Sequence, residues 1–434
     1  MKNKITINYL LNKKINNEKL TKEEVFSFVD MSCNKQIKDY QISTMLNAIF
    51  FNGMSFDETY WLTIAMKNSG FTLKTIPRTI DKHSTGGVGD KVTLILTPLL
   101  ACFDIPVFKM SGRGLGFTGG TIDKLESIGV NTSISLEKAR EIFDKNKMVV
   151  IEQSSNLTPA DKIFYALRND TETVMSIPLI VSSIMSKKLA LGSKHIYLDI
   201  KIGDGALFKN KKSAEEFSKI CIQIGKKEKV SVICHFTNMN QPLGNAVGNK
   251  IEIIESLNFL KGNYESKNLK ELIYIMLSDI LIDFKKSKSY SESKTKIDKM
   301  INSLKPYNKF IDWTNDQGSK LTNEDFSNLK LNAKNKKVIT SSKSGYFKIL
   351  SSLMIGQAVF DLGGGRINKD ASIDYDAGIL LLKENGDIVK KGTPIIEVYS
   401  NSEITDGILK NIKESFIITS KKVRKEKMVL GEVR

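Results

Sequence analysis

Arginine is scarce in this chain. Of its 65 basic side chains only seven are arginine and the rest are lysine. The formal net charge of +17 would by itself suggest a nucleic-acid or membrane partner. Arginine, however, is the side chain that reads phosphates and base edges through paired hydrogen bonds. Lysine and asparagine are spread through the whole sequence, which points to a compositional bias. A basic nucleic-acid-binding protein is therefore kept only as a competing class. Cysteine is equally sparse: Cys33, Cys102, Cys221 and Cys234 form no CxxC pair, so neither a disulfide framework nor a zinc site is expected. No run of eighteen apolar residues is present, which argues against a membrane-spanning helix. The first twenty residues carry no apolar stretch ending in a small-residue cleavage site, so a cytoplasmic protein is expected.

What is present is globular: 434 residues, 41% hydrophobic and 26% charged, enough for two or three domains. The expected fold class is α/β, in three parts. Residues 1–70 read as a small all-helical domain. Thr21 with Glu24 forms a capping box, Asp39 is a candidate cap, and Asn52-Gly53 is a stop signal. The helical stretch at about 160–193 is expected to rejoin it. Residues 75–159 and 194–335 alternate apolar strands, glycine-rich turns and amphipathic helices, as in a larger α/β domain with a mixed sheet. Residues 340–434 are glycine-punctuated short strands, expected to form a C-terminal β-rich α+β domain, with Asn385-Gly386 as a hairpin-type turn.

Three stretches carry chemistry. "DKHSTGGVGDKVT" (81–93) fits neither the Walker nor the Rossmann glycine pattern. Its glycines nevertheless let successive N–H groups converge on an anion, and Lys82, Ser84 and Thr93 add a charge and two hydroxyls. His83 adds a group able to donate a hydrogen bond or a proton near neutral pH. "KMSGRGLGFTGGTIDKLE" (109–126) repeats the theme with Lys109, Ser111 and Thr121. Two such loops after apolar strands suit the carboxyl edge of a single sheet, where open α/β folds bind ligands. "YALRND…SSIMSKK" places Arg168 on one helix, and Ser183 and Lys187 one turn apart on another. Read alone, those two cations would be solvated surface charges.

Together with "MNQPLGNAVGN", these stretches resemble the pyrimidine-nucleoside and thymidine phosphorylase family over nearly the whole chain. The resemblance implies a homodimer of three-domain subunits that binds a pyrimidine nucleoside and inorganic phosphate, with no nucleic acid or membrane partner. The reaction implied is reversible phosphorolysis of uridine, thymidine or deoxyuridine to base and pentose 1-phosphate. It implies phosphate on Lys82, Ser84, Thr93, Lys109, Ser111 and Thr121, base on Arg168, Ser183 and Lys187, and catalytic roles for His83, Arg168 and Lys187. No cofactor beyond phosphate is required. A potassium site is implied at Gly89, position 91, Leu243, Ala246 and Glu255, but position 91 is Lys91 where the family carries a small or hydroxyl residue. Two outcomes stay open: the Lys91 ammonium replaces the ion, or it points to solvent and potassium binds through carbonyls. Other departures are Phe117 for histidine, Asp204 for a small residue and Asn238 for aspartate. A thymidine-restricted enzyme and an anthranilate-phosphoribosyltransferase-like enzyme are the alternatives within the fold. The latter would need acidic magnesium ligands for pyrophosphate.

Overall fold

The computed structural model describes residues 5–73, 79–114, 116, 119–152, 157–366 and 371–434. The chain begins with four helices, α1 (Ile7–Ile15), α2 (Lys22–Cys33), α3 (Asp39–Asn52) and α4 (Phe56–Asn68). Thr21 and Ser55 cap α2 and α4, and Glu24 and Glu58 accept hydrogen bonds from the cap N–H groups in return. At α3 the cap is Lys38 and not Asp39: Gln41 Oε1 accepts the Lys38 N–H at 3.0 Å, which leaves Asp39 in the first turn. Gly53, at φ +69°, ends that helix. Two later helices, α8 (Pro159–Asp170) and α9 (Ile177–Ala190), pack into the same bundle. Ala160, Phe164 and Leu179 share its apolar core with Phe28, Leu46 and Leu62.

The large sheet runs β13-β5-β4-β1-β2-β3. It comprises β1 (Ile80–Ser84), β2 (Val107–Ser111), β3 (Met148–Glu152), β4 (His195–Ile202), β5 (Ser231–Asn238) and β13 (Val429–Val433). The first five are parallel and β13 is antiparallel, so the sheet is mixed. Helices α5 (Val92–Cys102), α6 (Thr121–Glu126), α7 (Leu136–Asn146), α10 (Lys211–Lys227) and α11 (Lys250–Leu260) flank it or its loops. A helical run follows: α12 (Lys267–Asp283), α13 (Tyr290–Asn302), α14 (Lys305–Asp316) and α15 (Asn323–Ser327). Strands buried on both faces are expected to read as continuous apolar runs. In β4 every residue after His195 is buried, yet Asp199 and Lys201 stand among them.

The C-terminal part holds two small sheets, β10-β8-β12 and β6-β9-β11-β7. Their strands are β6 (Ala246–Gly248), β7 (Asn335–Thr340), β8 (Gly345–Ile349), β9 (Gly378–Leu381), β10 (Ile388–Val389), β11 (Pro394–Ser400) and β12 (Phe416–Thr419), with helices α16 (Ser352–Val359) and α17 (Asp406–Glu414). Residues 340–434 are thus not a closed unit. β6, contributed from within the α/β region, pairs with β9, and β13 leaves to pair with β5. Each exchange covers a strand edge that would otherwise present unpaired backbone groups. An alternation pattern does not reveal such exchanges.

Candidate active site

In the large sheet the chain moves from β1 outward through β2 to β3, then returns to the other side of β1 as β4 and β5. The loops after β1 and β4 therefore part at a topological switch point, the usual ligand crevice of an open α/β sheet. The loop after β1 is the glycine-rich stretch that follows Lys82, His83 and Ser84. The loop after β2 begins at Ser111.

These loops rest on a buried lattice of lysines and aspartates. Lys82 Nζ and Lys201 Nζ lie 3.0 and 2.8 Å from the same Asp199 oxygen. Lys188 Nζ, from α9, is 2.8 Å from Asp81 on β1. Lys109 Nζ donates to the Lys82 carbonyl and sits 4.0 Å from Asp81. Lys82 Nζ has charge contact with Asp199 but no well-aligned hydrogen bond among the described residues, and buried Ser111 Oγ has none either. Buried polar groups rarely stay unsatisfied, so the Ser111 hydroxyl is the one poised for a ligand, whereas Lys82 is already held by its ion pair with Asp199.

The electrostatics follow from the crowding. Burial would lower the pKa of Lys82, but Asp199 and Asp90 outweigh it and the pKa is raised. Lys109 is pushed down to about 7 by burial and by the neighbouring Lys188, with Asp81 opposing. His83 is held well below the usual imidazole range by burial and by Lys188, Lys109, Lys187 and Lys82. It is a neutral imidazole at neutral pH, able to donate one N–H but not to act as a standing acid. Asp90 is half-buried; desolvation would raise its pKa, but Lys82 and Lys201 hold it well below the carboxylate range. Thr93 is buried in the first turn of α5, and Thr121 opens α6. Arg113 spends its guanidinium on Glu126 at 2.7 Å and Glu152 at 2.6 Å. It staples the second loop and is not turned to a ligand.

The helical side faces this lattice. Lys187 Nζ pairs with Asp161 at 2.7 Å, lies 3.3 Å from Ser183 Oγ and sits 6.0 Å from the Tyr165 ring centroid. Arg168 is buried and donates to the carbonyls of Thr173, Val174 and Leu179. Burial lowers its pKa to about 10, so it keeps its charge. In this state those donors serve the turn between α8 and α9. Lys188, next to Lys187, ties α9 to β1, so the helical side stands against the strand that carries His83.

The five positions of the implied potassium site also come together, around an ammonium. Lys91 Nζ lies 2.7 Å from the Leu243 carbonyl, 2.8 Å from the Ala246 carbonyl and 2.7 Å from Glu255 Oε2. Its side chain has no solvent exposure. A methyl on Gly89 would fall 2.6 Å from the Leu243 oxygen. These residues do not fit a separate ion, because the lysine nitrogen stands at the centre of the donor set.

Asp204 accepts hydrogen bonds from Ser351 Oγ and the Leu353 N–H, both at 2.8 Å, and so caps α16. Asn238 donates to Glu426 at 2.6 Å, where an aspartate would oppose carboxylate to carboxylate. Phe117 lies outside the described residues. The motif reading missed Asp81, Lys124, Lys188, Asp199, Lys201 and Glu252. For Asp199 and Lys201 the signal was a charge inside an otherwise apolar strand, as in "YLDIKI"; Lys124, Lys188 and Glu252 lie on helices, where a charge carries no such signal.

The comparisons agree with this geometry. Residues 8–70 match the helical bundle domain of a glycosyl transferase family, and residues 76–305 match its a/b domain. Residues 346–419 match a pyrimidine nucleoside phosphorylase C-terminal domain. A pyrimidine-nucleoside phosphorylase of Bacillus subtilis is 41% identical over 412 residues, 94% of this chain and 95% of the relative. The chain belongs to the pyrimidine-nucleoside phosphorylase family. A thymidine phosphorylase of Mycoplasmoides pirum is likewise 41% identical, over 92% of this chain and 97% of its own length. A Staphylococcus aureus pyrimidine-nucleoside phosphorylase is 42% identical over 94% of this chain and 95% of its own. Among solved structures, anthranilate phosphoribosyltransferase of Thermus thermophilus aligns with a TM-score of 0.58 and 14% identity, over 71% of this chain and 99% of that one. That likeness concerns fold alone.

Proposed function

We propose that this enzyme is a pentosyltransferase that catalyses reversible phosphorolysis of pyrimidine nucleosides to free base and ribose or deoxyribose 1-phosphate. The observation that carries the reading is the buried cluster of Lys82, Lys109 and Ser111, whose hydroxyl has no hydrogen-bond partner among the described residues, with neutral His83 in the field of these lysines and of Lys187. In this proposal phosphate is held by Lys82, Ser84, Thr93, Lys109, Ser111 and Thr121. The base is held by Arg168, Ser183 and Lys187. One phosphate oxygen forms a bond to the anomeric carbon as the bond to the pyrimidine nitrogen breaks, and that electron pair goes to the ring. Holding phosphate in line is the main task. Lys187 and the His83 N–H stabilise charge that develops only on the departing base, so they lower the barrier and not merely the binding energy. No protein nucleophile is needed, and no cofactor beyond phosphate.

The proposal includes a homodimer in the cytoplasm, resting on the family resemblance. Among the described residues no helix is long and apolar enough to cross a membrane. An anthranilate-phosphoribosyltransferase-like reaction needs free carboxylates for magnesium. Asp81 and Asp199 are each paired with lysine instead. The test is release of uracil or thymine from uridine, thymidine and deoxyuridine, with and without phosphate. Phosphate-dependent release is expected, and release without phosphate dependence would overturn the proposal. Activity on thymidine alone would establish the narrower, thymidine-restricted alternative. Size-exclusion chromatography with light scattering checks the dimer.

A further inference from the structure

α11 presents two carboxylates one turn apart, Glu252 and Glu255, and each receives a buried lysine from a different phosphate-loop segment. Lys124, three residues after Thr121, reaches Glu252 at 2.7 Å and donates to the Asp90 carbonyl at 2.8 Å. Lys91, two residues before Thr93, reaches Glu255. Glu255 also accepts the N–H groups of Asn245 at 2.7 Å and Ala246 at 2.9 Å, so its carboxylate and two carbonyls of the same loop wrap one nitrogen. The wrap is tight. A methyl on Gly244 would lie 2.5 Å from Lys91 Nζ, and Gly244 itself sits at φ +78°, a conformation that favours glycine. The loop is also tied to the phosphate stretch through backbone, with Leu243 N–H donating to the Val88 carbonyl at 3.0 Å. It continues directly into β6, which pairs with the C-terminal sheet.

We infer that Lys91 is a built-in monovalent cation: a positioning residue whose ammonium replaces a bound potassium ion and fixes the phosphate loop to the 243–246 loop and α11. Carbonyls together with one carboxylate form a donor set suited to a monovalent cation, and an ammonium resembles potassium in size and charge. A tethered ion cannot dissociate, so loop order and phosphate binding do not depend on the salt present. Removing the side chain while leaving the cage opens a cation site. Glu255 and Ala246 also line a cavity of about 190 Å³ on the far side of the cage from Gly89.

The inference rests on the phosphorylase reading only for its kinetic part, and its test has an arm free of that reading. The melting temperature of the parent protein is measured in potassium, sodium and choline chloride at equal ionic strength, alongside the phosphate KM. Both are expected to be the same in all three salts, within about twofold for KM. Lys91→Ser is expected to melt several degrees lower in sodium or choline, with potassium restoring most of the loss. Its phosphate KM is expected to rise at least tenfold without potassium and to recover with it, while its nucleoside KM moves little. Parent melting or activity that rises with potassium and not with sodium would overturn the inference. So would a folded Lys91→Ser that is indifferent to potassium. If Lys91→Ser fails to fold in every salt, Lys91→Thr and the parent's own salt series decide. A protein without phosphorolysis whose Lys91→Ser variant is still stabilised by potassium would refute the proposed function and leave this inference standing.

Discussion

Lys109 offers a quantitative probe of the phosphate site through pH. Its ammonium is buried among Lys188, Lys82 and Asp81, and its pKa is pushed down to about 7. A bound phosphate dianion supplies the charge it lacks and restores the protonated form. Binding above pH 7 must therefore take up a proton. Phosphate affinity should fall about tenfold per pH unit above 7, reaching about a hundredfold at pH 9, or about 2.7 kcal/mol at 1.36 kcal/mol per unit. Phosphate itself becomes fully dianionic across the first part of this range, which shifts the optimum upward but cannot produce a fall. The sign for stability is separate. Below pH 7 both folded and unfolded chains bind the proton, and the folded state carries the full cost of the buried charge. Between about 7 and the ordinary lysine value of 10.5 the unfolded chain binds more protons, so the contribution of Lys109 to stability rises with pH. The assay is the phosphate dissociation constant by calorimetry from pH 6.5 to 9.5, in two buffers of different ionisation enthalpy to count protons. Lys109→Met should bind phosphate weakly and lose the downward slope. A parent dissociation constant that stays flat from pH 7.5 to 9, with no proton uptake, would refute the placement of Lys109 against phosphate.

Lys187→Met should lower kcat about 10²- to 10³-fold, the usual effect of deleting one donor to a developing charge. It should leave the phosphate dissociation constant nearly unchanged, and an equal loss in phosphate binding would contradict its assignment to the base. Gly89→Ala adds a methyl 2.6 Å from the Leu243 carbonyl at a residue with φ +74°. Strain plus clash should cost about 2 kcal/mol or more, read as a lower midpoint in chemical denaturation. Asn238→Asp sets a carboxylate against Glu426 in place of a 2.6 Å hydrogen bond, at about 1–3 kcal/mol, with kcat per folded molecule unchanged.

Much of this molecule was legible because its elements are punctuated. Thr21–Glu24 marked a helix start, and Asn52-Gly53 marked a stop. The anion loops announced themselves by glycine and hydroxyl density, because a backbone that wraps an anion needs both freedom and donors. What the sequence hid was pairing between distant segments. The β6–β9 and β13–β5 pairs join residues separated by well over a hundred positions, and no local pattern encodes them. The same holds for the lattice beneath the site. A lysine in a motif looks like a solvated charge until its partner is found, and Lys82, Lys91, Lys124, Lys188 and Lys201 are each paired with a carboxylate on another part of the fold or in the same strand.

That lattice resolves the opening paradox of a basic chain poor in arginine. Six lysines, Lys82, Lys91, Lys109, Lys124, Lys188 and Lys201, are buried at or behind the phosphate loops and share four carboxylates, with Asp199 serving Lys82 and Lys201 and Asp81 serving Lys188 and Lys109. Breaking such a buried pair is costly, because the remaining charge is left uncompensated, so each loop is held in one arrangement. A lysine, unlike arginine, presents a compact charge on a long stem, and several can be packed side by side around one small dianion. The excess positive charge at the surface is then a separate matter from the positive charge that counts. The useful charge is buried and held on shared carboxylates, and the Ser111 hydroxyl is left without a hydrogen-bond partner among the described residues.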